Sequence, residues 1–311
     1  MRAIEAENLT KVFKDQLKRK PVVALTGLTL AIEQGEVFGF LGHNGAGKST
    51  AIKLFVNLLF PTSGRATVLG RDVADPAARA QIGYLPENPY LYDHLTAEEL
   101  LRFGARVSGL SSVAAGGEIE RLLDLVGLTH ARTRALRTYS KGMLQRAGLA
   151  MALVGNPRVV ILDEPMSGLD PFGRRLVADV IRQLRAEGRT VFFSTHILPD
   201  VEHLCDRVGI IAGGELRYVG ALAQGEQRRP DAWTVAVPNL AVSLEEEFRS
   251  AGIAVNRGAR AIDISVDRDT LYVVLERLKK ENDGLLSITP KRESLEEIFL
   301  RETAKSNRRV E

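Results

Sequence analysis

Val37-Phe38-Gly39-Phe40-Leu41-Gly42-His43-Asn44-Gly45-Ala46-Gly47-Lys48-Ser49-Thr50 decides the fold. The apolar run Val37–Leu41 reads as a strand. After the glycine-rich turn comes an apolar helical stretch with Ile52, Leu54, Phe55 and Leu58, which Pro61 and Gly64 stop. The segment Gly42–Ser49 fits G-x-x-x-x-G-K-S/T, with the strand before and the helix after that this pattern needs. Glycines let backbone N–H groups turn inward around phosphate oxygens, and the helix N-terminus adds partial positive charge. Lys48 is placed to neutralise β- and γ-phosphates and Ser49 to offer its hydroxyl to Mg²⁺. Gly42, His43, Asn44, Gly45, Ala46, Gly47, Lys48, Ser49 and Thr50 are therefore the expected contacts of a nucleoside triphosphate.

Farther along the chain, Val159-Val160-Ile161-Leu162-Asp163-Glu164-Pro165 is an apolar run that ends in two carboxylates. Four apolar residues are too few for a helix and suit a buried parallel strand. At the C-terminal end of such a strand, side chains face the crevice where ligands bind. Asp163 is expected to hold Mg²⁺ through its water shell, and Glu164 to act as the general base on the attacking water. An acidic pair at a strand end can also cap a helix. Arg174–Glu187 carries Leu176, Val177, Val180, Ile181 and Leu184 at helical spacing, Gly188 closes it, and Val191–Ser194 is the next strand. This alternation predicts an α/β fold with a parallel core sheet.

The flanks add three further parts. Residues 1–40 read as β-rich, with runs at Ala3–Leu9, Leu28–Ile32 and Val37–Leu41, and an antiparallel β subdomain is expected beside the core sheet; Lys14–Pro21 reads as an exposed hairpin tip. Residues 88–155 read as a helical subdomain; inside it Thr96-Ala97-Glu98-Glu99 is a capping box. After a Gly-, Gln-, Arg- and Pro-rich stretch at 221–231, taken as a linker, residues 232–304 read as a small α+β domain, ferredoxin-like in pattern. Its expected strands are Trp233–Val237, Ile262–Val266 and Leu285–Thr289, its helices Leu244–Arg249 and Leu271–Leu278, and Ser294-Leu295-Glu296-Glu297 is a second capping box. Residues 305–311 are expected to be a frayed tail.

The composition excludes several classes. Of 311 residues, 45% are hydrophobic and 26% charged, which is ordinary for a globular chain. The net charge of +3, from 42 basic and 39 acidic residues, is too even to argue for nucleic acid. One cysteine, Cys205, rules out an intrachain disulfide. The first residues, MRAIEAENLT, lack an apolar signal core, and no apolar run nears the ~20 residues needed to span a bilayer. His43, His94, His130 and His203 do not cluster as metal ligands.

Between and beyond the two phosphate-site motifs lie residues that name a family. Tyr139-Ser140-Lys141-Gly142-Met143-Leu144-Gln145-Arg146 resembles the signature motif of the ATP-binding-cassette (ABC) family, in the form seen in many ABC-2-type export ATPases. Ser167-Gly168-Leu169-Asp170 resembles its D-loop, and His196 its switch histidine. The likeness covers roughly residues 3–220, so residues 1–220 are read as an ABC ATP-binding domain. It implies head-to-tail dimers that sandwich two ATPs. Ser140 and the backbone at Gly142 would face the γ-phosphate held by the other chain, and Asp170 would touch the partner. His196 would bond the γ-phosphate and position Glu164, while Phe13 would stack on adenine unless it is a core residue.

Two departures from the family pattern stand out. Tyr84-Leu85-Pro86 is followed by Glu87 where the family has a Q-loop glutamine, and Lys141 stands where glycine is common. Glu87 can still serve Mg²⁺. The likeness implies further an ATPase docked from the cytoplasmic face on a separate integral membrane permease, as a homodimer or with a sister ATPase. Tyr90, Leu91, Tyr92 and Leu95 are the expected contacts to that permease, or else ordinary packing. Export is favoured by the signature and by the appended domain, whose Glu293–Arg301 stretch resembles export ATPases. The rival class, a soluble ABC ATPase acting on ribosomes or nucleic acid, usually carries a second cassette or a long coiled coil, and neither is seen. A cargo-binding role for residues 232–311 remains open.

Overall fold

The computed structural model describes residues 1–14, 21–222, 232–258, 261–281, 284–291 and 294–307. The expected hairpin tip at Lys14–Pro21 and the linker at 221–231 lie almost wholly outside the described residues, as do residues 308–311 of the expected tail, whereas residues 305–307 are the end of a helix rather than frayed chain. The chain divides into two compact units: residues 1–222 together with 299–311, and residues 223–298.

In the first unit, among the described residues, six strands form one sheet in the order Glu215–Ala221, Arg207–Ala212, Val37–Leu41, Thr190–Thr195, Val159–Leu162, Ile82–Leu85. Neighbours from Arg207–Ala212 to Ile82–Leu85 are parallel, and only the edge strand Glu215–Ala221 is antiparallel. Every residue of Val37–Leu41, Val159–Leu162 and Thr190–Thr195 is buried, as a strand covered on both faces requires. Phe38 and Phe192 stack in near-parallel planes with centroids 5.9 Å apart, and Phe55 of the helix Lys48–Phe55 meets Phe192 edge-on at 5.7 Å. The helix after the glycine-rich turn is thus pinned to the strand that ends beside His196.

A second, antiparallel sheet has the order Val22–Glu33, Arg2–Phe13, Ser63–Val68, Arg71–Asp72. The helical part holds Ala97–Val107, Ser112–Leu125 and Lys141–Leu153. Its first helix starts on the expected capping box: Glu99 N–H donates to Thr96 Oγ1 at 3.1 Å, and Thr96 N–H donates to Glu99 Oε2 at 2.8 Å.

The second unit carries the strands Ala254–Arg257, Ile262–Asp267, Ala232–Val237 and Ser287–Lys291, in that sheet order and antiparallel throughout. With helices Val242–Ser250 and Arg268–Glu281 in sequence between them, this is the ferredoxin-like arrangement. Val235, Val237, Ile264 and Val266 alternate into a core with Leu244, Phe248, Val274 and Leu278. The last strand begins two residues later than the apolar run predicts: its ladder with Ala232–Val237 starts at Ser287, and Leu285 and Leu286 lie outside it. Ser294 and Glu297 form the second capping box, opening the helix Leu295–Asn307.

Candidate functional site

The parallel strands bring their C-terminal ends together, and the expected phosphate-site residues lie there. Gly42 N–H donates to Thr195 O at 3.2 Å, and Asp163 N–H donates to Leu85 O at 2.8 Å, which ties four strand ends in two pairs. Glycine is required in the turn. Gly47 has φ +108°, and a Cβ there would sit 2.7 Å from the carbonyl oxygen of Ala24. At Gly42 it would meet Ile211 O at 2.6 Å. Lys48 and Ala46 are buried, whereas His43, Asn44 and Gly45 are exposed and Ser49 and Thr50 half-buried.

Lys48 Nζ is the hub. It donates to the backbone oxygens of Gly42 at 2.7 Å and His43 at 3.2 Å, and lies 3.1 Å from Glu164 Oε1. Both side chains of this ion pair are more than nine-tenths buried. The contact is ionic only: Glu164 Oε1 has no aligned hydrogen bond. The other oxygen, Oε2, lies 3.0 Å from His196 Nδ1. Lys48, Glu164 and His196 therefore form one continuous chain of charge and hydrogen bonding. The Glu164 backbone has φ +48°, left-handed for a residue with a bulky side chain. Backbone outliers of this kind persist where their surroundings hold them.

What holds it is a residue the sequence reading passed over. Ser194 is fully buried. Its Oγ accepts from Glu164 N–H at 2.9 Å and donates to Asp163 Oδ1 at 2.6 Å. The signal was present: Ser194 is a polar residue at the end of an apolar central strand, where a buried hydroxyl needs partners.

Oxygen groups suited to a hard divalent ion are the Ser49 hydroxyl and Asp163, with Glu87 exposed just past the strand Ile82–Leu85 at the same sheet end. Among the described residues no group of three or more His, Cys, Asp and Glu side chains could hold a metal alone. That donor set fits Mg²⁺, which keeps waters and binds through one or two carboxylates plus the substrate's phosphates. The charge of Asp163 also reaches Tyr84, whose hydroxyl is pushed up to about 12 by burial first and by that carboxylate second.

A second group lies around the signature segment. Ser140 is exposed and caps the helix Lys141–Leu153, accepting from Met143 N–H at 3.2 Å. Asp170 caps Pro171–Ala186 in the same way, through Gly173 N–H at 2.7 Å. Ser140, Gly142, Gly168 and Asp170 line one open cavity of about 410 Å³. Phe13 is not a core residue: it is 38% exposed, with Lys11 Nζ 5.1 Å from its ring centre. Tyr90 and Tyr92 are exposed, with Tyr92 edge-on to the exposed Phe103, whereas Leu91 and Leu95 are half-buried. Among the described residues, no helix is long and apolar enough to cross a membrane.

Residues 25–167 match the ABC transporter family. An uncharacterized ABC transporter ATP-binding protein of Synechocystis is 38% identical over 302 residues, 96% of this chain and 84% of that protein. Another, YxlF of Bacillus subtilis, is 37% identical over 280 residues, 89% of this chain and 94% of that protein. The human phospholipid-transporting ATPase ABCA7 is 43% identical over 203 residues, 65% of this chain but only 9% of that protein. Among solved structures, an ATP-binding subunit of an ABC transporter superposes with a TM-score of 0.62 at 30% identity, over 88% of this chain and 99% of that one.

Proposed function

The chain belongs to the family of ABC transporter ATP-binding proteins, and from that premise we propose how its residues work and what it works on. It binds and hydrolyses ATP as the nucleotide-binding component of a transporter. The observation that carries the residue assignment is the buried Lys48–Glu164–His196 chain at the end of the parallel strands.

Gly42–Thr50 cradle the phosphates, and Lys48 moves its charge from Glu164 to the β/γ-phosphates when ATP enters. Glu164, released from that pair and still oriented by His196, takes the proton of the attacking water. Proton transfer to a positioned base is typically worth about 10²–10⁴-fold in rate. Ser49, Asp163 and Glu87 would hold Mg²⁺, which would supply charge neutralisation to the phosphates. Phe13 stacks on the adenine ring.

Ser140, Gly142 and Asp170 act on the ATP held by a second cassette. The exposed cap at Ser140 supports this, since a helix N-terminus with an exposed hydroxyl that can still donate its proton suits an anion from outside the chain. The pair is a homodimer or includes a sister ATPase, and the exposed Tyr90 and Tyr92 dock on a separate membrane permease from the cytoplasmic face. Residues 1–220 are the cassette and 232–298 an accessory domain, with 299–304, expected in that domain, falling in the cassette's unit, and the transport direction is export. The test is to tag a Glu164→Gln chain, add Mg-ATP, and purify it from detergent-solubilised membranes of its source cell. A co-purifying polytopic membrane protein supports the reading. Recovery of ribosomes, nucleic acid or soluble partners alone would replace it with the soluble class.

A further inference from the structure

We propose that Ser194 is a positioning residue that sets both carboxylates of the site through one hydroxyl. The inference rests on the ATPase reading above and adds to it a residue that neither motif contains. Three observations carry it. Ser194 has no exposed surface, so its hydroxyl answers only to protein neighbours. The hydroxyl donates its hydrogen bond to Asp163 Oδ1 at 2.6 Å, which fixes the carboxylate's rotation and leaves Oδ2 outside this bond. A lone pair of the same oxygen receives Glu164 N–H at 2.9 Å, at the one residue of the site whose backbone is left-handed without being glycine.

The two bonds have a consequence for the side chains. The Glu164 backbone direction decides whether Oε1 and Oε2 reach Lys48 and His196, at 3.1 and 3.0 Å. Without the hydroxyl, Glu164 N–H is buried and unpaired in a strained conformation, and relief lies in rotating away. Asp163 loses its anchor at the same moment. A single missing oxygen thus loosens the expected metal-side oxygen and the expected base together. The phosphate cradle is spared, because Lys48 and the Gly42–Gly47 turn make no hydrogen bond to Ser194.

The test uses the full-length chain with Ser194→Ala, which removes only the oxygen, and Ser194→Thr, which keeps it. Binding of a fluorescent ATP analogue is measured in EDTA and then across a Mg²⁺ titration, alongside turnover. Outer hydrogen-bond partners of metal-site ligands typically change metal affinity or activity by about 10–100-fold. Ser194→Ala should therefore raise the Mg²⁺ half-saturation and lower kcat by about 10–100-fold, while analogue affinity in EDTA does not fall and Ser194→Thr behaves as wild type. An alanine variant with unchanged Mg²⁺ half-saturation and kcat overturns the proposal. Equal losses in EDTA and in Mg²⁺ overturn it too, since they report a merely structural role, as does a threonine variant no better than alanine. A wild-type chain without Mg²⁺-dependent turnover would bring down the ATPase reading itself, and is distinguishable from all three.

Discussion

Replacing Glu164 by glutamine separates the two jobs the structure gives it. Glutamine keeps the shape and an acceptor oxygen, so the change subtracts a charge and little else. Lys48 Nζ has three oxygens within 3.2 Å, from Gly42, His43 and Glu164, and only the last is charged. Taking the charged partner from Lys48 costs on the scale of a charge-assisted interaction, about 1.5–3 kcal/mol, because losing one charge of a buried pair leaves the other uncompensated. In a domain of this size each 1 kcal/mol moves Tm by about 2–4 °C, so the nucleotide-free variant should melt roughly 3–12 °C lower. In the proposed ATP-bound state Lys48 faces phosphates, and there the loss is absent. The same free energy then returns as tighter binding, about 10–100-fold in Kd. Turnover, which needs the base, should fall about 10²–10⁴-fold. Melting curves with and without ATP, fluorescent-nucleotide titration and phosphate release read the three effects. A variant that hydrolyses at the wild-type rate would show that Glu164 is not the base. A variant with unchanged apo Tm and unchanged Kd would show that the Lys48 ion pair carries no coupling between the free and loaded states.

Other substitutions probe separate parts of the account. Gly47→Ala forces a side chain onto φ +108° and into the Ala24 carbonyl at 2.7 Å; it should cost about 2–4 kcal/mol in a denaturant titration and abolish nucleotide binding, and a normal midpoint with normal affinity would contradict this. Tyr84 ionises near 10.0 in the unfolded chain but near 12 in the folded one, so it favours folding fully below pH 10 and that contribution is lost as pH rises toward 12. Tyr84→Phe should remove this component of alkaline destabilisation, and a native Tyr84 phenolate appearing at pH 10 in wild-type minus variant absorbance would refute the burial argument. Tyr90→Ala combined with Tyr92→Ala removes exposed rings only, so stability should stay within about 0.5 kcal/mol and ATP turnover of the isolated chain should hold, while permease co-purification is lost. Retained co-purification would move the docking surface elsewhere.

The candidate phosphate site is legible in the sequence because the features that mark it are local. Glycines that need positive φ, a lysine one residue inside a helix and two carboxylates at the end of an apolar strand can each be read from a few adjacent residues. The capping boxes at Thr96 and Ser294 were legible for the same reason. Less visible were strands whose identity depends on partners. Ser63–Val68, Ile82–Leu85 and Arg207–Ala212 are defined by pairing with distant segments rather than by their own alternation. The strand at Ser287–Lys291 was misplaced by two residues because the apolar Leu285 and Leu286 read as strand, while pairing to Ala232–Val237 sets the register from Ser287 on. Ser194 escaped because its meaning lies in two bonds across the sheet, to residues about thirty positions away.

The central claim is that a complete ATP site takes its phosphate loop from one chain and its signature segment from another. Mixing equal amounts of Lys48→Ala and Gly142→Glu chains tests it most directly, because each is broken at a different half. Lys48→Ala keeps an intact signature, and Gly142→Glu keeps an intact loop. If two chains pair head to tail, every mixed dimer holds one whole site. Half of the dimers are mixed, so ATP turnover should recover to roughly a quarter of wild type, although each variant alone is inactive. A mixture no faster than its separate components would contradict the two-chain site.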